Sequence, residues 1–298
     1  MMFNLFDWID YSINKNKEKE IHCLKQGDII SNRYKIENRL SSYQQQLDTD
    51  PYLAIDLKSP EHKKVVITLL ELPTINRKIQ KEASSFFKQE TDKLIRLSEK
   101  IDVVPKFIDF LEGEECFYVA TEYIESTALS QELSRHQSSE AESVILIKEI
   151  LMSLQILHHN NVIHQKITPH HIIRQSKDGK LLFTYFGDLK KIREMNRSEK
   201  TMGNPHIVRS PYLSPDLYAN QACFSSDIYT IGVIGIKKIT GQGLFDIGVN
   251  HSNGKTLWRD HCQCSNRFAF VLDKMIEHDV KNRYQHICEI MEDIKHNW

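Results

Sequence analysis

No apolar run in this sequence reaches the roughly 18 residues that a membrane-spanning helix needs, and the mean hydropathy is -0.44. Neither sign of charge is in excess: 39 Lys and Arg stand against 40 Asp and Glu, for a formal net charge of -1. That removes the chain-wide field that would gather nucleic acid or an anionic membrane. Cysteine is sparse, with Cys23, Cys116, Cys223, Cys262, Cys264 and Cys288 scattered without a framework spacing and with no secretory leader read ahead of them. A disulfide-stapled scaffold is therefore excluded, and free thiols in a reducing cytoplasm are expected. Clusters with metal-ligand spacing are missing too. His164, His170 and His171 lie close together, and His261-Cys262-Gln263-Cys264 carries a C-x-C step, but neither has a second ligand pair, so no metal site is expected. Glycine is absent from the whole stretch Ser41 to Pro51.

What is present is patterned. Residues 1–30 form an extension in which Met2, Phe6, Ile9 and Ile13 fall on one face, the spacing of a short amphipathic helix. Docking on its own domain, docking on a partner and membrane contact all stay open for it. Asp7 and Asp10 argue against the last, since surface-lying helices carry Lys and Arg on the polar face. Strand-like runs follow at Tyr34–Leu40, Tyr52–Leu57 and Val65–Leu72. A helix is predicted over Ala83–Leu97, with Phe86, Phe87, Glu90, Leu94 and Leu97 on one face. Lys106–Leu111 and Cys116–Ile124 read as a hairpin. Ser139-Glu140-Ala141-Glu142 is a capping-box pattern opening a helix with an Ile147, Ile150, Leu151, Leu154, Leu157 stripe. Ser225-Ser226-Asp227 is predicted to cap a later helix that is apolar nearly all round.

Between those helices stands His164-Gln165-Lys166-Ile167-Thr168-Pro169-His170-His171-Ile172-Ile173, then a hairpin and Tyr185-Phe186-Gly187. This stretch resembles the catalytic segment of the protein kinase superfamily, specifically the bacterial Hanks-type Ser/Thr kinases, where it runs H-R-D-I-K-P-x-N-I-I and ends in D-F-G. The resemblance extends from about residue 31 to 295. It implies a two-lobed α+β fold: a small, mainly β lobe with helix C and the hinge over 31–124, and a larger, mainly helical lobe over 125–298. It places Glu122, Tyr123 and Ile124 along a hinge whose main chain could take an adenine ring. His164, Phe186, Gly187, Asp227, and Asp216 with Arg283 fall at framework positions, and Glu90 at the helix-C carboxylate.

The positions that handle protons, metal and phosphate differ from the pattern. Lys166 stands for the base Asp, His171 for the metal-binding Asn, Tyr185 for the metal-binding Asp, and Thr68 for the strand lysine, while the Ser41–Pro51 connection lacks the glycines that cradle phosphates. The expectation drawn from this is a catalytically inactive kinase-like domain, not an enzyme. It would bind a protein partner, an active kinase or a pathway target, as scaffold or allosteric regulator, with no cofactor expected and metal-free ATP binding left open. The alternative is an atypical nucleotide-dependent Ser/Thr protein kinase, or another transferase, of weak or non-standard activity.

Overall fold

The structure is a computed structural model, and it describes residues 24–40, 50–71, 77–113, 116–133, 137–184, 210–219, 221–248 and 256–295. Contacts gather the chain into two units, Met1–Leu69 and Leu70–Trp298. The helix expected within residues 1–20, most of the glycine-free connection, and Tyr185, Phe186 and Gly187 lie outside the described residues, as does the side chain of Glu90.

The first unit is built on β1 (Ile29–Ile30), β2 (Tyr34–Arg39), β3 (Asp50–Asp56) and β4 (Lys64–Glu71), each antiparallel to the next. The period-2 pattern does what strand geometry requires: Tyr34 and Ile36, Tyr52 and Ala54, and Val65, Ile67 and Leu69 are all buried. Register sets Tyr52 opposite Ile67 and Ala54 opposite Val65, so these side chains share one face. Three residues join the paired Ile30 and Tyr34: Ser31 and Asn32 stand at φ 51° and 52°, and the Arg33 N–H donates to Ile30 O at 3.0 Å. Asp56 is buried at the end of β3, where Arg33 meets it in a two-pronged contact, Nε to Oδ1 at 2.9 Å and Nη2 to Oδ2 at 2.8 Å. The Arg33 hydrogen bonds hold the Asp56 carboxyl below its ordinary range, against the opposing effect of burial.

The second unit opens with α1 (Arg77–Lys100) and the hairpin of β5 (Phe107–Glu112) and β6 (Cys116–Glu122). Phe87 of α1 is wholly buried, stacked on Phe117 with ring centres 4.4 Å apart and tilted against Phe110 at 4.3 Å. Then come β7 (Ser126–Ala128), the single turn α2 (Leu129–Glu132), α3 (Glu140–His159), β8 (Ile172–Gln175), β9 (Leu181–Phe183), α4 (Pro215–Tyr218), α5 (Phe224–Thr240), α6 (Asn266–Met275) and α7 (Ile287–Lys295). Strands β7, β8 and β9 make a small antiparallel sheet. The α3 capping box forms: Ser139 Oγ accepts the Glu142 N–H at 3.2 Å, and Glu142 Oε2 accepts the Ser139 N–H at 2.9 Å.

Helix α5 starts earlier than its serines suggest. Cys223 is the N-cap, and Ser225, Ser226 and Asp227 sit inside the first turn. Ser226 Oγ accepts the Cys223 N–H at 3.0 Å and donates to the Asp216 carboxylate, so a tertiary partner, absent from any local pattern, draws the hydroxyl into the helix. Gly241 ends α5 at φ 71°, its N–H donating to Lys237 O at 2.9 Å. Among the described residues no helix is long and apolar enough to cross a membrane.

The core of this unit joins the α3 stripe of Ile147, Ile150, Leu151 and Leu154 to Ile228, Ile231 and Ile234 of α5, with Trp258, Phe268 and Leu272 alongside. Close approach depends on a missing side chain. A Cβ on Gly235 would lie 2.6 Å from Ile147 Cδ1 and 2.9 Å from Leu272 Cδ2. In an exposed helix, Gly→Ala stabilises by about 1 kcal/mol, whereas overfilling a packed core costs about 1–3 kcal/mol. Gly235→Ala is therefore expected to lower the urea midpoint in spite of its better helix propensity, and an increase in stability would refute the close packing of α5 on α3 and α6.

Candidate functional site

The catalytic-loop segment leaves α3 through Asn160 and Asn161, the latter at φ 57°, and returns into β8. Its path is fixed by one buried carboxylate. Asp227, 1% exposed in the first turn of α5, accepts the His164 N–H at 2.8 Å on Oδ2 and the Gln165 N–H at 2.9 Å on Oδ1. His158 Nε2, from the last turn of α3, lies 3.1 Å from Oδ2. Gln165 is held at φ 63°, a conformation that costs a residue with a Cβ and persists where its surroundings over-determine it. The two N–H bonds to Asp227 are that constraint.

His164 is fully buried, its ring 5.3 Å from that of Phe183, and its Nδ1 accepts the Lys166 N–H at 3.3 Å. Burial pushes its pKa down to about 3, with the charges of His171 and Lys166 acting in the same direction and the Thr184 backbone partly against them. The imidazole is thus neutral at ordinary pH and serves as structure. His171 is buried as well, its Nδ1 2.8 Å from Lys166 O and 3.1 Å from Thr168 Oγ1. A ring nitrogen that close to a carbonyl oxygen carries the proton, so His171 donates to Lys166 O and braces the loop from inside. Its own backbone is tied at both ends: its N–H donates to Thr168 O at 2.9 Å, and its carbonyl accepts the Thr184 N–H at 2.8 Å.

Asp216 and Arg283 come together at the far side of the α5 N-terminus. Arg283 Nη1 lies 2.9 Å from Asp216 Oδ1, with side-chain exposures of 0% and 4%. The guanidinium also donates to Ser225 O at 2.9 Å and Glu277 O at 3.0 Å, and it faces the Tyr229 ring at 5.0 Å. Ser214 Oγ donates to Asp216 Oδ2 at 2.9 Å, and Ser226 Oγ donates to the same oxygen. Burial alone would raise the Asp216 pKa, but the Ser226 hydrogen bond and the Arg283 charge outweigh it and hold the carboxyl below its ordinary range. His158, Ser214 and Ser226 were not read from sequence as members of these clusters. The signal for Ser214 was its adjacency to Pro215-Asp216, whereas His158 and Ser226 had none beyond being polar residues at apolar helix ends.

Along the hinge segment, Glu122 pairs with Lys106 through its own N–H to Lys106 O at 2.9 Å and through Oε1, which accepts the Lys106 N–H at 2.8 Å. Ile124 O accepts the Ser126 hydroxyl at 3.0 Å. A concavity of about 640 Å³ is lined by Ser98, Lys106, Tyr123, Ile124 and Leu182 among others, and it includes none of Lys166, Thr168 or His171. Thr68 sits half-buried in β4 of the first unit, opposite Pro51. A kinase's Mg²⁺ takes hard oxygen donors, carboxylates above all. The described loop offers the Lys166 ammonium, the Thr168 hydroxyl and an imidazole already tied to a carbonyl, a set that does not fit Mg²⁺. Among the described residues no group of three or more His, Cys, Asp or Glu side chains is placed to hold a metal ion.

Two stability predictions follow from this geometry. Removing one member of a buried ion pair costs about 3–5 kcal/mol, so Arg283→Ala should lower the melting temperature far more than alanine at the half-exposed Arg259. Because the folded pKa of Asp216 lies below its ordinary 3.8, the pair's contribution is present above that pH and lost as pH falls through the lower folded value. A shift equal to that of Arg259→Ala would sink the pairing. His164 works with the opposite charge: the unfolded chain takes up its proton below about 6.5, the folded one only near 3. Stability should therefore fall as pH drops across that window, by about 1.4 kcal/mol per unit. His164→Gln, which cannot titrate, should flatten this part of the curve; parallel wild-type and variant curves would mean His164 is not held neutral.

Comparison with known proteins gives this geometry a family. The family described as protein kinase domain matches residues 57–298. Serine/threonine-protein kinase B of Synechocystis sp. is 29% identical over 247 residues, 81% of this chain and 43% of that protein. Serine/threonine-protein kinase PknA of Nostoc sp. is 25% identical over 271 residues, 89% of this chain and 47% of the relative. The chain thus spans less than half the length of these relatives. The kinase domain of Mycobacterium tuberculosis PknI superposes with a TM-score of 0.65 at 15% identity, covering 92% of this chain and 99% of that one, which shows the two-lobed α+β fold. The expectation of a non-enzyme is corrected here: the matching family is that of the protein kinase domain and the relatives are named serine/threonine kinases, which points to an enzyme. The altered residues Lys166, His171 and Thr68 bear on how such a domain works, and no longer on whether it is one. With its catalytic loop hung from Asp227 and Asp216 paired with Arg283, the chain belongs to the protein kinase domain family, as a kinase-like domain of the bacterial Hanks type.

Proposed function

We propose that this domain is an atypical nucleotide-dependent Ser/Thr protein kinase of weak or non-standard activity. The observation that carries the reading is the Asp227 carboxylate on the backbone N–H groups of His164 and Gln165, because phosphoryl transfer depends chiefly on positioning and electrostatics. The loop that positions is held, while the groups it presents have changed. The names of the relatives support the reaction class, and the hinge residues Glu122, Tyr123 and Ile124 supply the main-chain groups with which an adenine ring pairs. The implied partner is a protein acceptor with a Ser or Thr hydroxyl. Without an Asp at position 166 to take the hydroxyl proton, the rate loses the roughly 10²–10⁴-fold that a general base contributes.

The test is transfer of labelled terminal phosphate from ATP to the chain itself and to generic acceptor proteins, in EDTA and with Mg²⁺ or Mn²⁺. Slow incorporation on serine or threonine is expected, well below the 1–100 s⁻¹ of ordinary kinases. It should fall at least tenfold in Asp227→Asn, whose amide nitrogen would face the backbone N–H groups the carboxylate now accepts. No label above the blank under every condition would overturn the proposal, as would label that Asp227→Asn leaves unchanged.

A further inference from the structure

The segment that joins a 3-10 turn at Trp258–His261 to α6 carries two thiols that phosphoryl transfer does not use. Cys262 is extended, at φ -153° and ψ 166°, and exposure alternates along Cys262-Gln263-Cys264-Ser265: the cysteines are half-buried, whereas Gln263 and Ser265 face water. That is the period-2 geometry of an extended chain, which sends residues i and i+2 to one face. Here the shared face is the inward one, and both cysteines pack against the hydrophobic core. The two side chains meet there. The Cys262 S–H donates a hydrogen bond to the Cys264 sulfur, and Cys262 Sγ lies 4.0 Å from Trp258 O. Both ends of the segment are pinned. Gln137 Nε2 donates to His261 O, and Ser265, the N-cap of α6, gives its N–H and its hydroxyl to the Glu140 carboxylate of α3 at 2.6 and 2.7 Å while accepting the Phe268 N–H at 3.1 Å. Two thiols held on one face of an ordered segment have little chain entropy left to lose on joining.

The pair is chemically asymmetric. Burial pushes the Cys262 thiol up to about 12, with the Cys264 sulfur and the Glu140 carboxylate acting in the same direction. Burial raises Cys264 too, helped by Glu140 and by Asp273 of α6, but the hydrogen bond from Cys262 and the Arg259 guanidinium pull the other way. Cys264 therefore gives up its proton first and becomes the attacking sulfur. An extended chain rises about 3.3 Å per residue, which sets the two Cα atoms roughly 6.6 Å apart, at the upper end of the span of about 4.4–6.8 Å that a disulfide bridges. A bond made at that limit is readily reduced, which suits a reversible link better than a permanent staple.

We propose that Cys262 and Cys264 form a reversible dithiol–disulfide site, oxidised by small-molecule disulfides. The Cys264 thiolate attacks one sulfur of the small disulfide; that S–S bond breaks, a mixed disulfide forms on Cys264 and one small thiolate leaves. Cys262 then loses its proton to solvent and attacks Cys264 Sγ, closing the Cys262–Cys264 bond and releasing the second thiolate. The protein is oxidised by two electrons, and one small disulfide is reduced to two thiols.

The test incubates the reduced full chain with glutathione disulfide, quenches in acid, alkylates under denaturing conditions and maps the peptides by mass. The peptide spanning both cysteines is expected to lose two hydrogens and escape alkylation, and dithiothreitol should restore both thiols. Closure should speed up about tenfold per pH unit between about pH 7 and 9, as the thiolate fraction grows. Cys262→Ser should trap glutathione on Cys264, and Cys264→Ser should slow capture at position 262 at least tenfold. An unchanged dithiol peptide while the exposed Cys288 is modified overturns the inference. So does glutathione retained on both cysteines without ring closure, or a loss of hydrogens that maps to a pairing with another cysteine. Melting curves by circular dichroism accompany the two serine variants; should either fail to fold, the wild-type peptide map and its pH dependence decide the question.

Discussion

The structure of the second unit turns on a carboxylate buried in the first turn of α5. Asp227 accepts two loop N–H groups and lies beside His158, and its place at a helix N-terminus adds the favourable end of the backbone dipoles. An ionised carboxylate taken out of water is costly unless its lone pairs are filled. Here filling them dictates that the chain after α3 pass directly over the α5 N-terminus, with Gln165 in the left-handed region. The hydrogen bonds from His164 and Gln165 offset both the strain and the desolvation: the loop takes a poor backbone conformation because that conformation satisfies the charge.

The same helix end organises a second buried charge. Ser226, one residue before Asp227, donates to Asp216, and Arg283 spans from Asp216 to the carbonyl of Ser225. Two ionised clusters thus meet at one helix terminus, one fixing the catalytic loop and the other the segment around α4. Beneath them the glycines of α5 let α3 and α6 pack against its backbone. One helix therefore carries both constraints, and the His171 ring adds a brace of its own through Lys166 O.

The parts of this arrangement visible in the sequence were those with short-range signatures. The α3 capping box is four residues long and forms as written. The β8–β9 hairpin is announced by Asp178-Gly179, with Gly179 at φ 74°. Strand faces followed from alternation. The α5 cap was misread because Cys223, Ser225 and Ser226 are all locally able to cap, and the choice among them is made by Asp216, distant in pattern and close in space. His158 escaped notice for the same reason: a histidine at a helix end says nothing until the carboxylate 3.1 Å away is in place. The loop residues were identified individually, yet their meaning was drawn too far. Inferring a non-enzyme treated the altered side chains as the whole of the machinery, although the loop also hangs from the Asp227 carboxylate by the N–H groups of His164 and Gln165, which a substitution at 166 does not remove.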